Sequence, residues 1–466
     1  MFRDKDPKKW FLLITLFILA VIGLLIFWGM SAQAKSDKFL PITEIKTPQG
    51  ISIWTVKDPT LPILSIKFSF LDAGSANDPQ EKQGLARLLS NTLDEGAGDL
   101  DSQAFQKILS DQSITLAFNA SRDTFGGTLK TLTRNQEKAF ELLSLAINDP
   151  RFDPEAVKRM SDANVTRIKS ALSEPDWMAA RLINDKAFDG HPYGKNSGGT
   201  LSSLPRITPD DLRNFKKTHL TRDRLLISAA GDIDPETLGP AIDRIFGKLP
   251  EKSGAESIKD TDVANKGKIY VYEQKIPQTM IEVMLPAFDR KDKDYYALQI
   301  MNYIYGGAGF GSRLMETARE QRGLTYGIYS STQDYRHTDT INISTSTKNE
   351  SATEMLSIIR NEMLKMQSEK IVEKTLSDAK SYIIGSMPLA LSSTDNIADM
   401  VLGLREDDLP IDYLDHVADY MNAVTSDDIQ RVAKRILNPE AMTIVLVGKP
   451  VNIDNVHVVK ELPNVQ

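Results

Sequence analysis

One helix–strand pair occurs twice in this chain at a single spacing, which limits the folds open to it more than any other feature. Ile207-Thr208-Pro209-Asp210-Asp211-Leu212 corresponds to Val424-Thr425-Ser426-Asp427-Asp428-Ile429 at an offset of 217 residues. Each segment opens a helix with a threonine N-cap followed by acidic first-turn residues. These satisfy free backbone N–H groups and complement the positive end of the helix dipole. The strands that follow, Leu225–Ile233 and Ala441–Pro450, place Gly231 and Gly448 at the same offset of 217. Agreement of two features at one spacing predicts a duplicated structural unit. The expectation is an α+β chain of two homologous domains, each of about 200 residues, facing one another or a partner across a cleft.

The rest of the pattern fits that plan. Ile51–Val56 and Leu61–Phe70 read as strands separated by a turn at Asp58-Pro59. Helical periodicity follows at 79–95, 101–110, 133–148, 154–172, 176–188 and 208–217. Residues 251–268 are polar and lack apolar periodicity, so they are read as the linker. The first domain is then 38–250 and the second 269–463.

The N-terminus carries an export signal. Arg3, Lys5, Lys8 and Lys9 precede a stretch from Trp10 to Ala34 without a charge, and Trp10–Trp28 is almost wholly apolar. That stretch is long enough to cross a bilayer as a helix, with its basic flank in the cytoplasm. Ala32-Gln33-Ala34 also fits a signal-peptide cleavage site, so residues 1–34 are either an uncleaved anchor or a removed signal. Both readings export the body of the chain.

Composition excludes several chemistries. A hydrophobic share of 41% with 26% charged residues suits a folded chain, and a net charge of −7 argues against nucleic acid. The absence of cysteine removes disulfides, thiolate nucleophiles and Cys-type zinc sites. The two closest of the five histidines, His191 and His219, stand 28 positions apart. Neither His-Glu-x-x-His nor His-x-x-Glu-His can therefore occur. No phosphate-binding loop or nucleophile elbow is present. Gly306-Gly307-Ala308-Gly309-Phe310-Gly311 lies between helical patterns and reads as a flexible turn, Glu406-Asp407-Asp408 as a solvated loop, and His191 as a turn histidine.

Several short motifs together resemble the first domain of the pitrilysin/insulinase family of zinc peptidases. They are Asp72-Ala73-Gly74-Ser75, Gly84-Leu85-Ala86-Arg87-Leu88-Leu89-Ser90-Asn91, Glu95-Gly96, His191-Pro192-Tyr193-Gly194 and Gly231-Asp232. The resemblance runs from about residue 40 to 460, includes the duplication, and implies two α/β-sandwich domains. In that family the segment after Gly-Leu-Ala supplies His-x-x-Glu-His, two zinc ligands and a general base. By this match Arg87, Ser90 and Asn91 stand in those three places. The family's third ligand is a glutamate on a later helix, yet no glutamate occurs from Ala156 to Ser173. A guanidinium cannot ligate zinc and a serine cannot act as the carboxylate base. The resemblance therefore implies no zinc in this chain.

Thr317-Ala318-Arg319-Glu320-Gln321-Arg322-Gly323-Leu324-Thr325-Tyr326 is similar to the family segment bearing an arginine and a tyrosine seven residues apart. The match implies that Arg319 and Tyr326 grip a substrate backbone and stabilise an oxyanion. Arg322 and Tyr329 are the nearest rivals. The Gly-rich run at 306–311 falls where related non-catalytic subunits carry a substrate-contacting loop. The expectation is a catalytically incomplete subunit of a heterodimeric zinc metallopeptidase. Its homologous partner would hold the zinc, its substrate would be a peptide or unfolded protein, and it would lie in the bacterial periplasm at the inner membrane. The alternative is a non-enzymatic scaffold or peptide-binding protein of the same fold. An enzyme active by itself would need a site of a different kind.

Overall fold

Alternating apolar and polar side chains along Ile63–Leu71 form one long strand, and its two faces explain how the chain is assembled. The structure, a computed structural model, describes residues 38–466. The expected anchor or signal at 1–34 lies outside the described residues. Among the described residues no helix is long and apolar enough to cross a membrane.

The first sheet contains β1 (Thr43–Lys46), β2 (Ser52–Lys57), β3 (Ile63–Leu71), β4 (Thr115–Ala120), β5 (Thr124–Leu132) and β6 (Leu225–Gly231), in the order β1-β2-β6-β3-β5-β4. The second contains β7 (Ile269–Glu273), β8 (Gln278–Pro286), β9 (Ile328–Tyr335), β10 (Thr338–Lys348), β11 (Thr443–Gly448) and β12 (Val456–Val459), in the order β9-β10-β8-β11-β7-β12. The helices that matter below are α1 (Leu85–Ser90), α2 (Pro154–Ala171), α3 (Pro175–Ala187), α4 (Pro209–His219), α5 (Ala352–Ser368), α6 (Thr394–Glu406) and α7 (Ser426–Ile436).

The duplication is explicit in the pairing. In the first half β6 runs parallel to β2 and antiparallel to β3. In the second half β11 runs parallel to β7 and antiparallel to β8. The copies differ at their outer edge, where β1 is antiparallel to β2 but β12 is parallel to β7. Both helix starts carry complete capping boxes, Thr208 with Asp211 on α4 and Thr425 with Asp428 on α7. Gly231 and Gly448 end the equivalent strands at φ 121° and 151°, a region that L side chains rarely adopt.

Each half donates a helix to the other half's sheet. Leu64, Ile66, Phe68 and Phe70 of β3 are fully buried, and Phe68 contacts Phe246 with ring centroids 5.1 Å apart. The opposite face of β3 presents Ser65, Lys67 and Ser69, a pattern that suits solvent, yet all three are buried under α6 of the second half. Asp395 of α6 accepts from Ser65 Oγ at 2.9 Å and from Lys67 Nζ at 3.0 Å, and Asp399 lies 3.0 Å from the same ammonium. Ser228 Oγ of β6 donates to Ala398 O at 2.7 Å. Buried polar groups need such partners, and α6 supplies them. Reciprocally, α3 of the first half covers β11 and β8, where Met178, Ala179, Leu182 and Ile183 cluster with Met284, Val445 and Val447. Residues 42–466 form one compact unit.

The segment 251–268 is laid along this exchange: Val263 is buried, Thr261 N–H donates to His337 O at 2.9 Å and Ala264 N–H to Ala187 O at 2.7 Å. The helical pattern read over 79–95 is realised only as α1, six residues long. Gly84, at φ 89°, turns the chain into it, and Asn91 caps it.

Candidate functional site

Arg87, Ser90 and Asn91 stand together on the last turn of α1. Its N-terminus is held by Asp78, whose carboxylate accepts from Gly84 N–H at 2.7 Å and Ala86 N–H at 2.9 Å. Ser90 Oγ donates to Arg87 O at 2.8 Å, so the hydroxyl serves the helix end. Asn91 Oδ1 accepts from Asn164 Nδ2 of α2 at 3.2 Å, and Asn164 Oδ1 accepts from Arg167 at 3.0 Å. Arg87 is half-buried, and its Nε is buried without a hydrogen-bond partner. Arg167 is exposed, and partial burial together with the neighbouring Arg87 charge holds its guanidinium below the usual arginine value. This donor set, two guanidinium groups, a hydroxyl and two carboxamides, does not fit zinc, which takes imidazole, thiolate or carboxylate ligands. Among the described residues no three His, Asp or Glu side chains are grouped to hold a metal ion. Asn164 and Arg167 belong to no motif in the sequence; only the approach of α2 to α1 reveals them.

Asp78 also sets a pH dependence. Loss of hydration pushes its carboxyl up to about 7, against opposing donation from Ala86 and Gly84. Its folded value lies above the unfolded 3.8, so the folded state binds the proton more tightly. That stability is fully present below the unfolded value and is lost as the pH rises through about 7. Stability is therefore expected to fall between about pH 4 and pH 7, by on the order of 1–4 kcal/mol, with the melting temperature falling alongside. Asp78→Asn should remove that part of the slope, which thermal melts across the range will measure.

Arg319 and Tyr326 flank a tight turn in the second half. A short helix, Arg313–Met315, starts at the Ser312 cap and is tied to α5 by Arg313, which bonds Glu362 at 3.0 Å and Glu369 at 2.8 Å. It runs into a π-helical turn, Glu316–Glu320, which contains Arg319; such turns concentrate at functional sites. Gly323, at φ 63°, ends it, with Gly323 N–H donating to Arg319 O at 2.9 Å. Tyr326 lies before β9 and is 85% exposed. The strand begins at Ile328 and leaves Tyr326 outside it; at Gly327 the Tyr329 ring lies against the backbone, where a Cβ would sit 2.7 Å from the ring.

Arg319 is 34% exposed, its nearest carboxylate is Glu320 at 3.6 Å, and its guanidinium lies over the Phe310 ring at 4.4 Å. Phe310 is itself 65% exposed and follows Gly309, at φ 59°, in the glycine-rich run. The run begins in a second π-helical turn, Tyr303–Gly307. It is thus folded back onto Arg319, with Phe310 as the contact that no spacing rule points to. Arg322 is engaged with Glu354 at 2.9 Å, and Tyr329 covers Gly327. No described hydrogen bond or ion pair joins Arg319 or Tyr326 to Arg87, Ser90 or Asn91.

The acidic cluster at 406–408 differs from its sequence reading, whereas His191 agrees with its own. Glu406 and Asp407 line a cavity with Asp289, Arg290, Asp334 and Asp339, so they are not a solvated loop. Burial raises both carboxyls, Asp407 pairs with Arg290, and Asp408 reaches Lys291 at 3.0 Å. His191 does serve a turn, its ring accepting from Tyr193 N–H at 3.3 Å while Nε2 lies 2.9 Å from Lys259 O.

Two sandwich halves of one topology, an α1 turn without zinc ligands and an exposed Arg/Tyr turn define the class to which comparison assigns the chain. Residues 56–200 match the family described as Insulinase (Peptidase family M16), and residues 206–383 match the Peptidase M16 inactive domain. The chain belongs to the M16 insulinase family, among its non-catalytic members. It is 24% identical over 367 residues to the non-peptidase homolog YmxG of Helicobacter pylori, covering 78% of this chain and 82% of the relative. It is 22% identical over 439 residues to the mitochondrial-processing peptidase subunit beta of Saccharomyces cerevisiae, covering 90% of this chain and 94% of the relative. A crystal structure of a peptidase M16 inactive domain from Pseudomonas fluorescens superimposes with a TM-score of 0.83 at 25% identity, covering 90% of this chain and 100% of that one.

Proposed function

We propose that this chain is the substrate-holding, catalytically incomplete subunit of a heterodimeric zinc metallopeptidase. Arg319 and Tyr326 grip the peptide backbone and stabilise the oxyanion, and a homologous partner holds the zinc and the general base. The observation that carries this reading is the exposure of Tyr326 on the turn that also carries Arg319, a partly exposed guanidinium whose nearest carboxylate, Glu320, stands off at 3.6 Å. A tyrosine that buries so little contributes little to the fold, and its ring and hydroxyl are open to a ligand. The similarity to a relative named as a subunit of a processing peptidase supports the pairing. The uncharged stretch Trp10–Ala34 supports an inner-membrane anchor with the body in the periplasm.

Purification of the tagged full chain from its own cells is expected to recover a homologue with intact His-x-x-Glu-His, and the pair is expected to cleave unfolded protein. A chain that stays monomeric beside every such homologue, even at high concentration, would sink the proposal. The name of the Helicobacter relative, a non-peptidase homolog, favours a second reading as a peptide-binding scaffold. That reading predicts that Arg319→Ala leaves function intact.

A further inference from the structure

The degenerate zinc turn carries positive charge with nothing to neutralise it. The 3.2 Å hydrogen bond from Asn164 to Asn91 joins α2 to α1 beside Arg167 and Arg87, and neither arginine forms an ion pair among the described residues. Acidic groups that follow α1 are engaged elsewhere. Asp94 Oδ2 accepts from Gln106 at 3.3 Å; Glu95 Oε2 accepts from Ser102 at 2.6 Å and pairs with Arg159. Arg87 Nε is buried with no acceptor, a donor that ordinarily costs free energy unless a partner arrives. Arg167 is oriented by Asn164, which is 4% exposed and is itself fixed by Asn91. One guanidinium edge is thereby positioned, and its remaining N–H groups stay free. A guanidinium without a counter-ion is the donor that carboxylates pair with best, through two parallel N–H groups.

The neighbouring strand indicates what would carry that carboxylate. α1 packs against β4, the edge of the first sheet, which pairs with β5 on one side only. Thr115, Ala117 and Asn119 of β4 are exposed, and its outer backbone groups can pair with an added strand. We infer that the turn that lacks zinc ligands is a carboxylate-binding site, in which Arg87 and Arg167 hold the acid group of an extended peptide laid along β4. The acid is either the peptide's C-terminal carboxylate or an Asp or Glu side chain. This inference concerns the chain by itself and stands whether or not a zinc-bearing partner exists.

The test is fluorescence anisotropy with the purified full chain and labelled, extended peptides of one sequence. One peptide has a free C-terminal acid, one a C-terminal amide, and an amidated pair differs only by an internal Glu or Gln. Acid-bearing peptides are expected to bind about 10- to 100-fold tighter than their neutral counterparts. A preference confined to the free-acid peptide identifies the C-terminus as the source; one confined to the Glu peptide identifies the side chain. Arg167→Met, at an exposed position on α2, should erase most of the preference while the chain stays folded, since relief of the like-charge contact offsets part of the hydrogen bond lost from Asn164 Oδ1. Arg87→Met should erase the rest, and Arg167→Met keeps the test intact if that variant fails to fold. Equal binding of acid and neutral peptides, a preference that survives Arg167→Met unchanged, or no binding at all would overturn the inference.

Discussion

Arg319→Ala is expected to lower kcat/KM of the reconstituted pair by about 10²–10³-fold, with Tyr326→Phe falling in the same range, because each removes one donor to developing negative charge. The melting temperature of the chain should hardly move. Arg319 contributes one stacking contact to the exposed Phe310 ring and a 3.6 Å approach to Glu320, and exposed interactions of this kind stabilise a fold by about 1 kcal/mol or less. Tyr326 is 85% exposed, so loss of its hydroxyl leaves no buried group unsatisfied. The combination of a large kinetic loss with an unchanged melt separates a ligand-facing pair from a structural one. Steady-state kinetics and calorimetry on the same preparations read both. An unchanged rate would place function on the scaffold surface instead.

Gly231→Ala carries the largest expected effect on stability, roughly 3 kcal/mol or more, from backbone strain added to a steric clash. At φ 121° the residue already occupies a region closed to most side chains, and a Cβ there would sit 2.0 Å from Ile63 O. It would also lie 3.0 Å from Thr394 Cγ2, at the start of the exchanged helix α6, so the clash reaches the junction of the two halves. The equivalent Gly448→Ala should cost less, because its nearest atoms, Gln278 O and Thr279 among them, stand at 2.8 Å. Denaturant unfolding of the two variants beside the parent chain will show whether that order holds.

Much of the fold was legible because its signals are local. Thr208 with Asp211, and Thr425 with Asp428, announce helix starts within four residues, and the glycine at each strand end repeats at the same spacing. The alternation along β3 was equally plain, but what covers its polar face was not. Ser65 and Lys67 meet Asp395 across some 330 positions, and no pattern within either segment encodes that encounter. The brevity of α1 follows from the buried Asp78 cap and the left-handed Gly84, whereas periodicity alone extends the helix over 79–95. Of the proposed site, Arg87, Ser90, Asn91, Arg319 and Tyr326 are named by resemblance alone, and their roles rest on the experiments above. Phe310, Asn164 and Arg167 could not be named that way, because each acquires its role only through contact with a distant element. The π-helical turns holding Arg319 and the glycine-rich run lack a recognisable composition as well.

In the proposed division of roles this chain holds substrate while a partner holds the metal. Zinc stoichiometry, measured by mass spectrometry on the purified chain and on the complex recovered with its homologue, tests that most directly. The expected result is no bound zinc in the chain alone and one zinc per pair, lost when the partner's histidines are replaced and retained with Arg87→Met. Stoichiometric zinc bound by this chain in isolation would contradict that division of roles.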